Sequence, residues 1–333
     1  MCREARSAVI AQSSSDALAG NAYCLRRPRA RLRAGVSTPY GRVVNGWLDV
    51  PVGAHVCCTF DSPHKRQQIV GQFVAAGLAR HERVAVFSAR AALPALDPTD
   101  RVFAAAISRG QILLGVAEDA YFPDGDFDGS RCIAEFVAQA KEAVSSGYSA
   151  LRVFADNGGM PAALPSPELW LEYEMRVAST IPPLPLVGLC GFDVNDPPAL
   201  PPDLLDAAHE YNATAEPRPS AFHLHGRRDG SFALSGTLGE NNLNSFRHLI
   251  AAAAPALKNN YVSLGGLEVV DAAAARELHR LTRDSAVTMW AIPPVVRDHW
   301  MALGLSPSKS TAPHLRSRPR LPPRPRSPHN REE

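Results

Sequence analysis

Residues 54–89 read AHVCCTFDSPHKRQQIVGQFVAAGLARHERVAVFSA. The first seven, 54–60, are a short apolar run of strand length. Ser62 then offers an N-cap and Pro63 suits a first helical turn. Ile69, Phe73, Ala76 and Leu78 follow along one helical stripe. The run at 83–89 is a second buried strand. Strand, helix and strand within one such unit predict a parallel pair joined by a crossover.

The same rhythm continues outward. GQILLGVA (110–117) reads as another buried strand, SRCIAEFVAQAKEAVSSGY (130–148) as an amphipathic helix, and LRVFADN (151–157) as a strand. PELWLEYEMRVASTI is a helix and PLVGLCGFD (185–193) a strand. This α/β unit spans 46–212. In parallel sheets ligands gather at the carboxyl ends of the strands. That rule nominates His55, Phe60, Tyr121, Asp156, Cys190 and Asp193 as a pocket, on position alone.

A Pro-bearing stretch at 213–221 reads as a linker, and 222–305 follows a different pattern. FHLHGRRDGSFALSG is a hairpin turning at Asp229-Gly230. A helix capped by Asn, the buried strand NYVSLGGLEVV, the helix DAAAARELHRLTRD, the strand AVTMWAIP and a last helix complete the order ββαβαβα. A small sheet with helices on one side is expected.

The two ends differ from this core. Residues 1–45 hold eight Arg against Glu4 and Asp16, and 306–333 hold Lys309 and six Arg against Glu332 and Glu333. With a formal net charge of +2 overall, the residues between carry about −9. Both ends lack a core-forming pattern and read as disordered basic segments. PRLPPRP in the tail suits polyproline II. An acidic folded part argues against nucleic acid as the main ligand. No run of about 18 apolar residues exists to span a membrane. Six cysteines without a CxxC pair read as reduced thiols of a cytoplasmic protein. Cys57 and Cys58 alternate to opposite strand faces.

Most chemistry-bearing patterns are missing. A phosphate loop belongs between strand and helix at 60–65, and it needs glycines, Lys and then Ser or Thr. This chain has TFDSPHKRQQ, with Asp61 in the loop and Arg66 after Lys65. ATP hydrolysis is not expected. His223 and His225 share a strand face but lack a third ligand at recognisable spacing, and His55 with Cys57 reads as a structural pair. No metal and no cofactor are expected. Cys190 near Asp193 would suit a reactive thiol only with a His close by, and a buried thiol is the plainer reading. YFPDGDFD within 119–131 places Tyr121, Phe122 and Phe127 around a tight turn before a helix, a structured turn that is compatible with the aromatics walling a small apolar pocket. Asp128 or Ser130 caps the helix that follows. Glu172 and Arg176 stand four apart on an exposed helix face, and Glu172 and Glu174, two apart and not facing each other, make a weak acid/base pair.

HVCCTFDSP, FVAAGLARHERVAVFS, YFPDGDFD, GYSALRVFADN, LEYEMRV and LVGLCGFD occur in an order that resembles the MEDS sensory domain over about 54–211. That resemblance implies a RecA-like core that has lost its phosphate loop and senses a small molecule. FADNGGM departs from the family, whose members carry an acid and an aromatic after the strand. LSGTLGENN, SLGGLEVVDAAAARELHRL and AIPPVVRDHWMALGL resemble a STAS domain, the fold of anti-sigma factor antagonists. There the turn opening the second helix carries Asp, then Ser or Thr, then Gly, and a partner kinase phosphorylates the hydroxyl. Here Asp271 is followed by Ala272, Ala273, Ala274 and Ala275, and Gly239 stands where the family has an acid. The resemblance implies a partner surface at Gly239, Glu240, Asn241, Asn242, Asp271–Ala275 and Arg276 that phosphate does not control. Ser263, the nearest hydroxyl upstream, is expected inside its strand.

Together these readings predict a non-enzymatic cytosolic bacterial regulator. A small-molecule sensor is followed by a degenerate STAS module that contacts an anti-sigma factor of kinase-type ATPase fold or another STAS protein. The alternatives are a nucleotide-binding or hydrolytic enzyme using the same strand ends, and a scaffold that senses nothing.

Overall fold

A computed structural model describes residues 42–43, 46, 49–90, 96–97, 99–195, 200–213, 220–257, 261–284 and 287–305. The tail, its PRLPPRP stretch, nearly all of 1–45 and most of the 213–221 linker therefore lie outside the described residues.

The opening βαβ pattern is realised as β2 (His55–Phe60), α1 (Pro63–Ala79) and β3 (Arg83–Ser88). Ser62 caps α1, its hydroxyl accepting from the Lys65 amide, and Pro63 takes the first turn. The chain continues through α2 (Arg101–Ser108), β4 (Ile112–Val116), α3 (Ala117–Tyr121), α4 (Gly129–Ser145), β5 (Leu151–Asp156), α5 (Pro167–Thr180), β6 (Leu186–Asp193) and α6 (Pro202–Ala207). Asp128, rather than Ser130, caps α4. The short strands β1 (Arg42–Val43) and β7 (Tyr211–Asn212) complete a seven-stranded, all-parallel sheet in the order β1-β7-β2-β6-β5-β3-β4. Arg42 and Val43 fall within the segment read from sequence as disordered, yet they pair with Tyr211 and Asn212.

β5 and β6 are buried along almost their whole length, as expected of central strands covered on both faces. One face packs under α1 and α2 through Val56, Cys58, Phe60, Val70, Phe73, Val74, Ala106, Phe154 and Leu189. The other packs under α3, α4 and α5 through Leu151, Val153, Ala155, Cys132, Ala140 and Trp170. β4 corrects the reading of 110–117 as buried. It is an edge strand, with Leu113 and Leu114 39% and 55% exposed. An apolar run cannot distinguish a central strand from an edge strand, because both carry the same residues.

The second half follows the expected order: β8 (Phe222–Gly226), β9 (Phe232–Leu238), α7 (Leu243–Leu257), β10 (Tyr261–Val270), α8 (Ala272–Asp284), β11 (Thr288–Trp290) and α9 (Pro294–Ala302). Its sheet runs β11-β10-β9-β8, with β8 and β9 antiparallel and the other pairs parallel. The hairpin turns at Gly230, whose φ of +82° lies in the region glycine tolerates best. β9 alternates strictly between buried and half-buried residues, the mark of a sheet with one covered face. β10 is only partly buried, against the expectation of a buried strand, and its pairing with β9 shifts at Ser263/Gly266 and Leu267/Val269. Ser263 itself is buried, as expected. α5 packs against α7 and β8, so the apolar core of the parallel sheet continues into that of the second sheet.

Candidate functional site

The parallel sheet divides the six pocket residues nominated from sequence. Phe60 and Asp156 face α1: Phe60 lies in the core beneath that helix, and Asp156 accepts from Arg66 Nη1 at 2.8 Å. His55, Cys190 and Tyr121 lie on the opposite side, toward α5. Asp193 ends β6 and accepts from the Asn195 amide at 2.9 Å. The aromatics of 121–127 pack against α5 and one another. Tyr121, Phe127, Trp170 and Tyr173 pack on one another, with ring centroids 5.1 Å apart for Trp170–Tyr173 and 5.2 Å for Tyr121–Trp170. The Tyr121 hydroxyl is within hydrogen-bonding distance of Asn157 Oδ1, at 2.9 Å.

On that same side, four buried groups converge. His55 Nε2 lies 3.3 Å from Cys190 Sγ and 3.3 Å from Glu174 Oε2. Cys190 Sγ is 3.8 Å from Glu174 Oε2, and His209 Nε2 is 3.6 Å from that same oxygen. The two imidazoles stack with centroids 4.0 Å apart. Glu174 and His209 have no solvent exposure.

The local sequence explains each placement. His55 opens β2 and Cys190 sits mid-way along β6, on strands paired with His55 opposite Gly188 and Cys57 opposite Cys190. Glu174 lies four residues from Trp170 and four from Ala178, so the helical period sets it on the buried stripe of α5. The sequence reading missed it by weighing Glu174 only against Glu172. Arg176 does not make the expected i,i+4 pair with Glu172 its main contact: its guanidinium donates to Ser130 Oγ at 2.9 Å. His209 follows α6, held by a turn in which its amide donates to the Asp206 carbonyl. Its ring Nδ1 lies 2.6 Å from the Leu205 carbonyl. His223 is buried, and its Nδ1 reaches the carbonyls of Asp206 and His209 at 3.2 and 3.1 Å.

Burial sets the charge states. It lowers the pKa of His55 to about 3. Burial, assisted by His55, lowers His209 to about 4 against the opposing pull of Glu174. Burial raises Glu174, with His209, Trp170 and Cys190 only partly offsetting it. Burial and the nearby Glu174 push the Cys190 thiol up. A His does stand beside Cys190, but burial and Glu174 shift this thiol in the direction opposite to activation as a nucleophile.

At the place where a phosphate loop would sit, the two basic side chains each face a carboxylate. Lys65 Nζ is 4.0 Å from Asp61 and Arg66 is engaged with Asp156. Near the four-residue cluster, a cleft of about 420 Å³ is lined by residues including Ala54, Glu210, Tyr211, His225, Arg227 and Arg228. Ala54 and Glu210 are the chain neighbours of His55 and His209.

In the second half, Asp271 joins the two segments of the expected partner surface. Its Oδ1 accepts from the Ala274 amide at 2.8 Å, and its Oδ2 from the Glu240 amide at 2.7 Å. Ala274 and Ala275 are fully buried, and Trp300 Nε1 donates to the Ala275 carbonyl. Those two alanines therefore belong to the core, and the outward residues are Glu240, Asn241 and Arg276. Burial works to raise the Asp271 pKa, but the amides of Ala274, Glu240 and Ala273 outweigh it and hold the carboxyl below its ordinary value. Asp271→Ala is expected to lower stability at neutral pH by about 1 kcal/mol, the usual loss of a capping side chain. A depressed folded pKa contributes above the unfolded value, about 3.9, and that contribution is lost as pH falls through the folded value. Denaturation of both proteins from pH 7 downward checks this: the gap narrows below about pH 4. A gap that stays constant to acid pH contradicts the role of the carboxylate.

Residues 54–210 match the model of a family described as "MEDS: MEthanogen/methylotroph, DcmR Sensory domain", a span that holds all four clustered residues. That similarity supports a signalling role for the parallel-sheet half. No curated protein matches the chain. Among the described residues no helix is long and apolar enough to cross a membrane.

Proposed function

We propose that the chain is a cytosolic signalling regulator. Its parallel-sheet half, RecA-like in descent, senses a small molecule, and its second half is a degenerate STAS module that passes the signal by protein contact. The partner is an anti-sigma factor of kinase-type ATPase fold or another STAS protein. The observation that carries this reading is the double role of α5. It supplies Glu174 to the buried cluster and also packs against α7 and β8 of the second sheet. α7 in turn begins next to Glu240–Asn242. A shift of α5 on ligand binding is thus felt at the outward residues Glu240, Asn241 and Arg276. The alanines after Asp271 make this contact independent of phosphate, with no catalytic role for the chain.

Thermal-shift screening of the full chain against small-molecule fractions of bacterial extract tests the reading. Active fractions are expected to raise Tm and to change affinity for the partner protein. A fraction that raises Tm and leaves partner affinity untouched overturns the coupling. After incubation with ATP and a partner kinase, no phosphate is expected on peptides covering 263–276, and finding one there refutes phosphate independence. ATP turnover that Lys65→Ala abolishes would favour the enzyme reading, against the pairing of Lys65 with Asp61.

A further inference from the structure

The geometry points to a divalent transition-metal site, suited to zinc, built from His55 Nε2, Glu174 Oε2, Cys190 Sγ and His209 Nε2. The separations are the first reason. At metal–ligand bonds of about 2.0–2.3 Å, neighbouring ligands on a tetrahedron lie roughly 3.3–3.6 Å apart. The four measured edges are 3.3, 3.3, 3.6 and 3.8 Å, and the four ligand atoms all lie within 4.8 Å of one another. The two N···O edges are longer than the roughly 2.7–3.2 Å of a good hydrogen bond. Cys190 Sγ is within sulfur hydrogen-bonding distance of His55 and Glu174, but neither imidazole is hydrogen-bonded to the carboxylate, as expected of groups arranged around a common centre.

Lone-pair direction is the second reason. The Leu205 carbonyl can only accept, so His209 Nδ1 carries the proton that it donates there. A neutral ring then turns a bare Nε2 lone pair toward the Glu174 carboxyl, and both groups have no solvent exposure. Among the described residues, His209 Nε2, itself one of the four ligand atoms, has no conventional hydrogen-bond partner. An unpaired polar atom at such depth destabilises a fold unless something binds its lone pair. The Leu205 contact is also the outer-shell anchor that metal-binding histidines ordinarily have.

Charge is the third. Two neutral imidazoles, one thiolate and one carboxylate around a divalent cation sum to zero, a charge state that a buried site accommodates. Binding releases the proton of the Cys190 thiol, and that of Glu174 where it is protonated. A mixed nitrogen, sulfur and oxygen set suits zinc and excludes magnesium or calcium, which take oxygen ligands. Four protein ligands, all 8% exposed or less, make a closed site of the structural kind, not a catalytic one. Such an ion ties β2, β6 and α5 to the segment after α6. It reaches the second sheet through the His209 carbonyl, which accepts from His223 on β8.

This assignment stands apart from the signalling reading, since partner affinity and metal content are measured separately. The full chain is purified, dialysed against metal-free buffer and analysed by plasma mass spectrometry. One zinc per chain is expected, and a strong chelator should lower Tm. Reconstitution of the stripped protein with cobalt(II) should give the intense visible bands of a tetrahedral ion and a near-ultraviolet thiolate charge-transfer band. Cys190→Ser should abolish that band, and His209→Gln should weaken metal affinity at least about tenfold. Cys58→Ser, on the other face of β2, should change neither. The wild-type cobalt spectrum keeps the test decisive should a variant fail to fold. A wild-type chain folded by circular dichroism that takes up neither zinc nor cobalt overturns the proposal. So does uptake that is unchanged in folded Cys190→Ser and His209→Gln.

Discussion

Arg152→Met will destabilise the protein by about 3 kcal/mol, the lower end for breaking a buried ion pair. Arg152 and Glu82 have no solvent exposure, and Arg152 Nε meets Glu82 Oε2 at 2.5 Å. The guanidinium also lies over the Phe73 ring, 4.7 Å from its centroid. Removing the cation leaves a carboxylate buried at the foot of the sheet. Arg80, itself 34% exposed, still reaches Glu82 Oε1 at 2.8 Å, which is why the lower end of the range applies. The double variant Arg152→Met/Glu82→Leu removes both charges and should recover most of the loss, because an apolar pair of similar volume often matches a buried ion pair. Urea denaturation of the three proteins decides the matter. If the double variant is less stable than the single one, the buried charge is not the source of the loss.

Gly226→Ala is the second large effect. A Cβ on Gly226 would fall well inside van der Waals contact with the Ala178 carbonyl oxygen, and 3.0 Å from Ser179 Cα. Both obstacles are backbone, so no rotamer change relieves them. β8 and the carboxyl end of α5 must separate, at about 3 kcal/mol, the upper part of the range for overpacking. On a folded region of this size that lowers Tm by roughly 6–12 °C. Amide exchange should accelerate first in β8 and the last turn of α5, where the two sheets meet. An unchanged Tm would mean that this seam is loose, and it would remove the physical basis for coupling through α5.

The layout of the molecule was largely legible in its residues. The apolar runs at 54–60, 83–89, 151–157 and 185–193 became parallel strands, and Ser62, Pro63, Asp128 and Asp229-Gly230 did the local work expected of them. Burial of individual strands was less legible, as Leu113 and Leu114 illustrate, because position in the sheet order is a tertiary property. The buried cluster was half visible. His55 and Cys190 were chosen by position, whereas alternation alone would have set Phe60, five residues from His55, on the other face. Asp156 pairs with Gly191, the neighbour of Cys190, and so also faces away. Glu174 could have been found from its four-residue spacing to Trp170. His209 carried no signal of its own. Its partners are 19, 35 and 154 residues away in sequence, and ligand motifs are legible only when spacing is local.

The Asp271 contacts have an electrostatic corollary. The amino end of a helix carries a partial positive charge and free amides, which together attract anions. At α8 two of the available amide contacts, from Ala274 and from Glu240 in the neighbouring loop, are already taken by a carboxylate from within the chain. A negative group approaching from outside meets repulsion there and fewer free donors. Selection at this corner of the molecule therefore favours neutral or basic visitors, and it is in force from the moment the chain folds.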